Sequence, residues 1–334
     1  MTMTKALIIG VSSQDGSYLA DLLVGKGYEV IGTIRRSTNF YQENIRHLIG
    51  KIRVEAADLL DSESIARLLR IYQPDEVYNI AAQSVPADSW SHPYYTGEVT
   101  ALGAVRVLEA VRLHAPNARV YQATSREIYG NIAGVATEAT PIDANNPYGI
   151  AKAYAHMMTR CYRDSFGLFA CAGVLFNHES PRRSLHFVTR KITAAAACIK
   201  NGVRTLPLDE LGNPLVSADH KVALGWLESE RDWGYAQEYV DAMWRMLQND
   251  QPRDYVIGTR VSHTVRDVCQ IAFAHVGLTW EEHVITNEKL LRPTEIAALV
   301  GDYSLAERDL GWRPQTSFVD LIRLMVDADL ERFQ

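Results

Sequence analysis

Lys5-Ala-Leu-Ile-Ile-Gly10-Val-Ser-Ser-Gln-Asp-Gly16 joins a short apolar run to a glycine-bounded turn, and the segment that follows, Tyr18 to Gly27, has helical spacing and ends on glycine. Glu29 to Ile34 reads as the next buried strand, so the chain opens with a β-α-β unit. Where such a strand turns into a helix, main-chain N–H groups and the helix dipole converge on a point that suits a pyrophosphate. Gly10, Ser13, Gln14, Asp15 and Gly16 are therefore candidate cofactor contacts. The second strand runs out in Ile34-Arg35-Arg36-Ser37, where an NAD-preferring fold places an acid for the ribose 2′-hydroxyl. Arg35 and Arg36 suit a 2′-phosphate instead, and the expected cofactor is NADP.

Further strand candidates at 52–55, 75–80, 118–123 and 169–175 alternate with helical patterns such as 62–72 and 99–114. That alternation predicts an α/β fold with a doubly wound parallel sheet of the Rossmann kind. From about 177 the pattern becomes irregular without any low-complexity linker. The expected organisation is an NADP-binding Rossmann domain over 1–176, with later crossing segments at about 230–262, and a smaller mixed substrate-binding lobe formed mainly by 177–334.

Composition narrows the function classes. The 334 residues are 47% apolar, ordinary for a globular chain, and 34 Lys plus Arg stand against 40 Asp plus Glu for a net charge of −6. No long basic run suggests a nucleic-acid or membrane surface. The four cysteines, Cys161, Cys171, Cys198 and Cys269, show no Cys-x-x-Cys spacing, so neither a metal site nor a disulfide frame is expected and a reducing cytosol is implied. Met-Thr-Met-Thr-Lys leads straight into a strand, and no apolar stretch reaches membrane-spanning length. A soluble cytoplasmic protein is expected.

The candidate chemistry lies in Asn146-Pro-Tyr148-Gly-Ile-Ala-Lys152, with Ser125 and Glu127 upstream in Ala-Thr-Ser125-Arg-Glu127-Ile-Tyr-Gly. Residues i and i+4 share a helix face, so the Lys152 ammonium could lower the Tyr148 phenol from about 10 and make it a usable base. A lone Tyr and Lys at this spacing is more often plain amphipathic surface; the glycine turn and the Ser125–Glu127 pair favour chemistry.

Taken in order with Ala81-Ala-Gln-Ser84, Leu175-Phe-Asn-His-Glu-Ser-Pro-Arg-Arg183, Phe187-Val-Thr-Arg-Lys191, Arg231-Asp-Trp-Gly234, Arg292-Pro-Thr-Glu295 and Leu310-Gly-Trp312, these motifs resemble the extended short-chain dehydrogenase/reductase family, and within it the GDP-mannose 4,6-dehydratases. The resemblance implies a redox-neutral dehydration of GDP-mannose or a close relative to the 4-keto-6-deoxy sugar. In that cycle Tyr148 takes the proton of the 4-hydroxyl as hydride leaves C4 for NADP, and Ser125 bonds O4. Lys152 holds the nicotinamide ribose. Glu127 removes the C5 proton and protonates the departing 6-hydroxyl, and hydride returns to C6. Asp58, Leu59, Ile80, Ala81, Ala82, Gln83, Ser84, Tyr95, His178 and Arg183 inherit cofactor contacts; Asn177, Lys191, Arg231, Arg292 and Glu295 inherit contacts to the nucleotide-sugar. A homodimer or homotetramer is implied.

Several positions depart from the family pattern. Ser13 stands where the cofactor turn has its middle glycine, which predicts strain or crowding if the backbone there needs a glycine-only geometry. Arg126 replaces a small residue beside Glu127 and, pointing inward, would favour the ionised carboxylate and weaken it as a base. Residues 204–221 are extra, and Trp226 replaces the Asn of Leu-Gly-Asn; both are candidates for reshaping the nucleotide-sugar site. Two other readings remain open: a 4-keto-sugar reductase or epimerase, which needs no Glu127, and a non-catalytic nucleotide-sugar-binding paralogue.

Overall fold

The protein, seen in a computed structural model, is described over residues 3–35, 43–203, 207–208, 212, 214–290 and 298–334. Its strands are β1 (Lys5–Ile9), β2 (Glu29–Ile34), β3 (Arg53–Ala56), β4 (Glu76–Asn79), β5 (Arg119–Ser125), β6 (Gly134–Ala136), β7 (Ala170–Leu175), β8 (Asn177–Glu179), β9 (Val222–Leu224), β10 (Glu230–Tyr235), β11 (Tyr255–Ile257), β12 (Ser262–Thr264), β13 (Val284–Thr286) and β14 (Leu299–Gly301). The helices are α1 (Gln14–Gly25), α2 (Ser62–Tyr72), α3 (Pro93–Thr96), α4 (Gly103–His114), α5 (Pro147–Phe166), α6 (Val188–Asn201), α7 (Ala236–Gln248), α8 (Val265–His275), α9 (Ser304–Leu310) and α10 (Phe318–Arg332).

Seven strands form one sheet in the order β3-β2-β1-β4-β5-β7-β11, every neighbouring pair parallel. Parallel strands need helical crossovers, which cover both faces, and the middle strands are accordingly buried throughout. One face packs Tyr78 and Tyr121 against Leu19 of α1 and Met243 of α7; the other packs Leu7, Val77 and Val120 against Leu69 of α2 and Val111 of α4. Strand order reverses between β1 and β4, so a crevice opens at their carboxyl ends, the place where such sheets receive ligands.

The sheet expected from the sequence is present, and the differences lie at helix starts. Helix α1 begins at Gln14 rather than Tyr18 because the Ser13 hydroxyl caps it, accepting from the Gly16 N–H at 3.0 Å. Helix α4 begins at Gly103, after a π-helical turn over Gly97–Leu102. Helix α5 runs twenty residues from an Asn146 cap and Pro147 in its first turn to Gly167 at φ 70°.

Beyond β7 the chain runs through β8, which pairs with β10, while β12 flanks β10 on its other side. Strand β11 then rejoins the main sheet beside β7, and α7 packs on α1. Helices α6, α8 and α10 enclose a separate core of Ile192, Cys198, Trp233, Phe273 and Ile322. Within it Arg190 Nη1 meets Asp329 Oδ1 at 2.6 Å with both side chains buried, tying α6 to α10. The described part of the 204–221 stretch belongs to this core: Leu215 and Val216 are buried, and Lys221 Nζ donates to the Glu282 carbonyl.

Candidate active site

The turn after β1 is built by close backbone approach. Gly10 has φ +96°, and a Cβ added at Gly16 would lie 2.3 Å from the Gly10 carbonyl oxygen, so the helix start is pressed onto the turn. Ser13 sits at φ −68° and ψ 169°, a conformation open to any residue, so the strain expected of a non-glycine here does not arise. Asp15 Oδ2 lies 2.9 Å from His178 Nε2, and His178 Nδ1 is 2.7 Å from the Phe176 carbonyl. Burial opposes the charged form of both groups, but their mutual attraction and hydrogen bond outweigh it, holding the Asp15 carboxyl below its ordinary range and the imidazole above its own. With one neighbour a carbonyl and the other a carboxylate, both ring nitrogens donate.

The other expected cofactor positions line the same crevice. Ile80 and Ala81 donate their N–H groups to the Ile9 carbonyl at 3.1 and 3.0 Å, which sets Ala81, Ala82, Gln83 and Ser84 beside the Gly10 turn. Gln83 Nε2 donates to the Val85 carbonyl, yet its Oε1 is buried without a hydrogen-bond partner among the described residues, an acceptor suited to a hydroxyl or amide of a bound dinucleotide. Asp58 accepts from the Leu60 N–H at 2.9 Å, and Leu59 is buried against Gly103. Arg35 Nη1 donates to the Tyr95 hydroxyl at 2.6 Å; Arg36 lies outside the described residues. The turn, the orphan acceptor and the exposed Arg35 together fit a nicotinamide dinucleotide.

Ser125 ends β5, Glu127 follows in a short helical turn, and Tyr148 and Lys152 occupy the buried face of the first turns of α5. Burial pushes the Tyr148 phenol up to about 12, against the opposing pull of the Ser125 hydroxyl and the Arg183 charge. Lys152 Nζ donates to the Ala123 carbonyl at 2.9 Å and stands 5.9 Å from the centre of the Tyr148 ring. Burial brings its ammonium down to about 8. The expectation that Lys152 depresses the phenol is therefore not met in the free protein, because the low-dielectric pocket penalises both charges and Lys152 is turned to the main chain.

Glu127 is buried, with Asn146 Nδ2 donating to its Oε2 at 2.9 Å. Arg126 does point inward: it is 3% exposed, its Nη1 lies 3.6 Å from Glu127 Oε1, and its Nη2 donates to the Gly130 carbonyl at 3.2 Å. Asn146 also caps α5 by accepting from the Gly149 N–H, and the Tyr148 N–H donates to the buried Ser89 hydroxyl at 3.3 Å. The reading of the sequence missed Asn146 and Ser89. Asn before Pro at a helix start is a capping signal that could have found the first; no local pattern marks the second.

Of the remaining expected residues, Asn177 lies on β8 opposite Trp233, and Arg231 lies two residues before Trp233 on β10. Arg231 Nη1 donates to the Glu230 carbonyl at 2.6 Å, and Lys191 is buried on α6. The Arg183 Nε lies 3.3 Å from Glu179 Oε2, its guanidinium 3.5 Å over the Phe187 ring, and its charge bears on both Asp15 and Tyr148. Arg292 and Glu295 lie outside the described residues.

Comparison with known proteins gives the same neighbourhood. A family model described as GDP-mannose 4,6 dehydratase matches residues 7–325. GDP-mannose 4,6 dehydratase 2 of Arabidopsis thaliana is 46% identical over 338 residues, covering 98% of this chain and 87% of the relative. Among solved structures, RMD from Pseudomonas aeruginosa complexed with NADPH superposes with a TM-score of 0.79 at 18% identity, covering 99% of this chain and 100% of that one. A dTDP-glucose 4,6-dehydratase from Bacillus anthracis in complex with NAD gives 0.81 at 18% identity, covering 97% and 96%. At that identity the two structures speak for the fold alone.

Proposed function

The chain belongs to the GDP-mannose 4,6-dehydratase family, enzymes that eliminate water, and from that premise we propose that it converts GDP-mannose to GDP-4-keto-6-deoxy-mannose with NADP as the resident cofactor. The observation that carries the reading is a buried carboxylate, Glu127, held by the Asn146 cap at the start of the helix that bears Tyr148. Oxidation at C4 alone needs a base for one hydroxyl. Elimination across C5–C6 needs a second group that takes a carbon-bound proton and returns it to a leaving hydroxyl.

In this reading Tyr148 accepts the proton of the sugar 4-hydroxyl, and Ser125 holds O4 as it becomes a carbonyl. Glu127 takes the C5 proton, now acidic beside the ketone, and passes it to O6 as water departs. A bound nicotinamide supplies the acceptor and later the donor of hydride. Gly10, Ser13, Gln14, Asp15 and Gly16 would hold its pyrophosphate at the α1 N-terminus. Asp58, Leu59, Ile80, Ala81, Ala82, Gln83, Ser84, Tyr95, Lys152, His178 and Arg183 would complete the cradle. Arg35, exposed at the end of β2 and joined to Tyr95, supports a 2′-phosphate and hence NADP over NAD. Asn177, Lys191 and Arg231 would meet the nucleotide-sugar, together with Arg292 and Glu295.

The division of labour follows the same lines, with 1–176 and the crossing segments at about 230–262 serving the cofactor and 177–334 mainly the nucleotide-sugar. We also propose a cytoplasmic homodimer or homotetramer. Ile150, Tyr154 and Met157 expose an apolar stripe along α5, which supports association, and no helix among the described residues is long and apolar enough to cross a membrane.

The test is incubation with GDP-mannose and catalytic NADP, followed by mass spectrometry of the sugar nucleotide. Loss of one water with no net accumulation of reduced cofactor is expected. Stoichiometric NADPH, or an unaltered sugar in a protein that binds both ligands, overturns the reading. For the cofactor, Arg35→Ala should narrow the preference for NADP over NAD, and equal affinity of the unaltered protein for both would remove that part.

A further inference from the structure

We propose that Ser89 is a positioning residue for Tyr148: its buried hydroxyl fixes the main chain of the base at the start of α5 and thereby sets the rate of the first hydride step. The proposal rests on Tyr148 being the base for the sugar 4-hydroxyl. A helix cannot serve the N–H groups of its own first turn, and α5 disposes of them one by one. Pro147 has none, and the Gly149 N–H donates to the Asn146 side chain at 2.8 Å. The Ile150 N–H then reaches the Asn146 carbonyl at 2.9 Å, which opens the regular ladder. The Tyr148 N–H is served from another part of the fold, by Ser89 Oγ at 3.3 Å, across 59 residues of sequence.

Ser89 is itself held in place. Its hydroxyl hydrogen goes to the Pro86 carbonyl at 2.6 Å, which turns the oxygen lone pairs toward the Tyr148 N–H, and the residue is fully buried. The loop is fixed further up by Gln83, whose Nε2 donates to the Val85 carbonyl at 2.9 Å and whose main-chain N–H donates to Thr100 Oγ1 at 3.1 Å. The helix start is also pressed onto the turn that carries Glu127, since a Cβ added at Gly149 would lie 2.5 Å from the Glu127 carbonyl oxygen. The Tyr148 phenol meets the Ser125 hydroxyl, and a base acts only within hydrogen-bond reach of the proton it takes. Without Ser89 Oγ a buried N–H loses its acceptor, the first turn of α5 shifts to find another, and the phenol is carried away from O4.

The C4 step can be read by itself in Glu127→Gln, where the cycle should stall after the first hydride and leave a burst of reduced cofactor. Stopped-flow mixing of the NADP-loaded full chain with GDP-mannose compares Glu127→Gln with double variants that also alter Ser89. Ser89→Ala removes the acceptor and little volume. Ser89→Cys keeps the shape with a weaker acceptor, and Ser89→Thr keeps the hydroxyl. Thr159→Ala in the same background is the structural control: it removes another buried hydroxyl, bonded to the Ala155 carbonyl at 2.8 Å, about three turns further along α5.

The expected result is a burst slowed by about 10- to 10²-fold in Ser89→Ala, with its amplitude and the affinity for NADP kept. A misfolded fraction would lower the amplitude and leave the rate alone. Ser89→Cys should fall between Ser89→Ala and the parent, Ser89→Thr should return most of the rate, and Thr159→Ala should lower Tm without slowing the burst. Should Ser89→Ala fail to fold, Ser89→Cys carries the same comparison. A burst equally fast with and without the Ser89 change, a Ser89→Thr burst no faster than that of Ser89→Ala, or equal slowing by Thr159→Ala overturns the proposal. Glu127→Gln separates the layers: no burst in that variant overturns the dehydration reading and the proposal with it, whereas a burst that Ser89→Ala leaves unchanged removes the positioning role alone.

Discussion

His178 Nε2 stands 2.9 Å from Asp15 Oδ2, a bridge from the crossing strand β8 to the first turn of α1 that joins residues far apart in the chain at the edge of the cofactor turn. The bridge has a pH window. His178 is raised above its unfolded value, so its contribution to stability is complete below about 6.5 and is lost as pH rises through the folded value. Asp15 is lowered, so its contribution is present above about 3.9 and is lost as pH falls through the folded value. The pair therefore contributes most between about pH 4 and 6.5. His178→Gln, which leaves a buried carboxylate without its cation, should cost roughly 3 kcal/mol in that window. Melting of both proteins from pH 4.5 to about 8.5 checks it: the gap in Tm should narrow toward the alkaline end, and a gap independent of pH would remove the charge from the account.

Tyr148 and Glu127 should fail at different stages. Tyr148→Phe removes the base for the 4-hydroxyl and should lower turnover by roughly 10²–10⁴-fold with no transient reduced cofactor. Glu127→Gln should bind substrate and reduce the cofactor in a single burst, visible by fluorescence, and then stall before water leaves. A stopped-flow trace with a burst in Tyr148→Phe, or steady water release in Glu127→Gln, would exchange or cancel the assignments.

The cofactor turn makes opposite predictions for two neighbours. Gly16→Ala places a Cβ 2.3 Å from the Gly10 oxygen and should cost at least about 2 kcal/mol and most of the cofactor affinity. Ser13→Gly should change little, because Ser13 already holds an ordinary backbone conformation and glycine loses only a few tenths of a kcal/mol as a helix cap. Calorimetric titration with NADP measures both. Tighter binding by Ser13→Gly would mean that the serine crowds the phosphates after all.

What could be read in advance was whatever depends on neighbours in sequence. The strand at Lys5–Ile9, the turn from Gly10 to Gly16 and the four-residue spacing of Tyr148 and Lys152 on one face of α5 are periodic or local, so the doubly wound sheet and the shared face of Tyr148 and Lys152 follow from them. The grip of Asn146 on Glu127 and the bridge from Asp15 to His178 are tertiary pairings that no period encodes. Ser13 shows a subtler failure: read as a missing glycine it suggested strain, whereas read as a hydroxyl before an acidic first turn it marks the helix start four residues earlier. The Lys152 ammonium misled in another way, since spacing alone is silent about burial and about the Ala123 carbonyl that accepts its hydrogen bond.

Trp226 and the 204–221 stretch should separate into a specificity feature and a packing feature. Trp226 follows Gly225, whose Cβ would lie 2.8 Å from the Leu290 carbonyl, so the chain just before Trp226 passes close to Leu290, and the Trp226 side chain is 53% exposed. An exposed aromatic contributes little to the fold, and Trp226→Asn should change stability by no more than about 0.5 kcal/mol. It should change recognition, because a flat apolar face is exchanged for a hydrogen-bonding amide at the expected nucleotide end. Leu215 and Val216 are each 4% exposed in the C-terminal core, so removing the whole stretch should destabilise the lobe regardless of any role in binding. Shortening only 204–213 retains both apolar residues, at the loss of the bond from the Leu215 N–H to the Pro207 carbonyl. Titrating GDP-mannose and other GDP- and UDP-sugars against Trp226→Asn and this shortened chain decides between the roles: an altered ranking in the first with intact melting assigns Trp226 to the nucleotide site, and rankings unchanged in both leave the indole as surface and the stretch as packing alone.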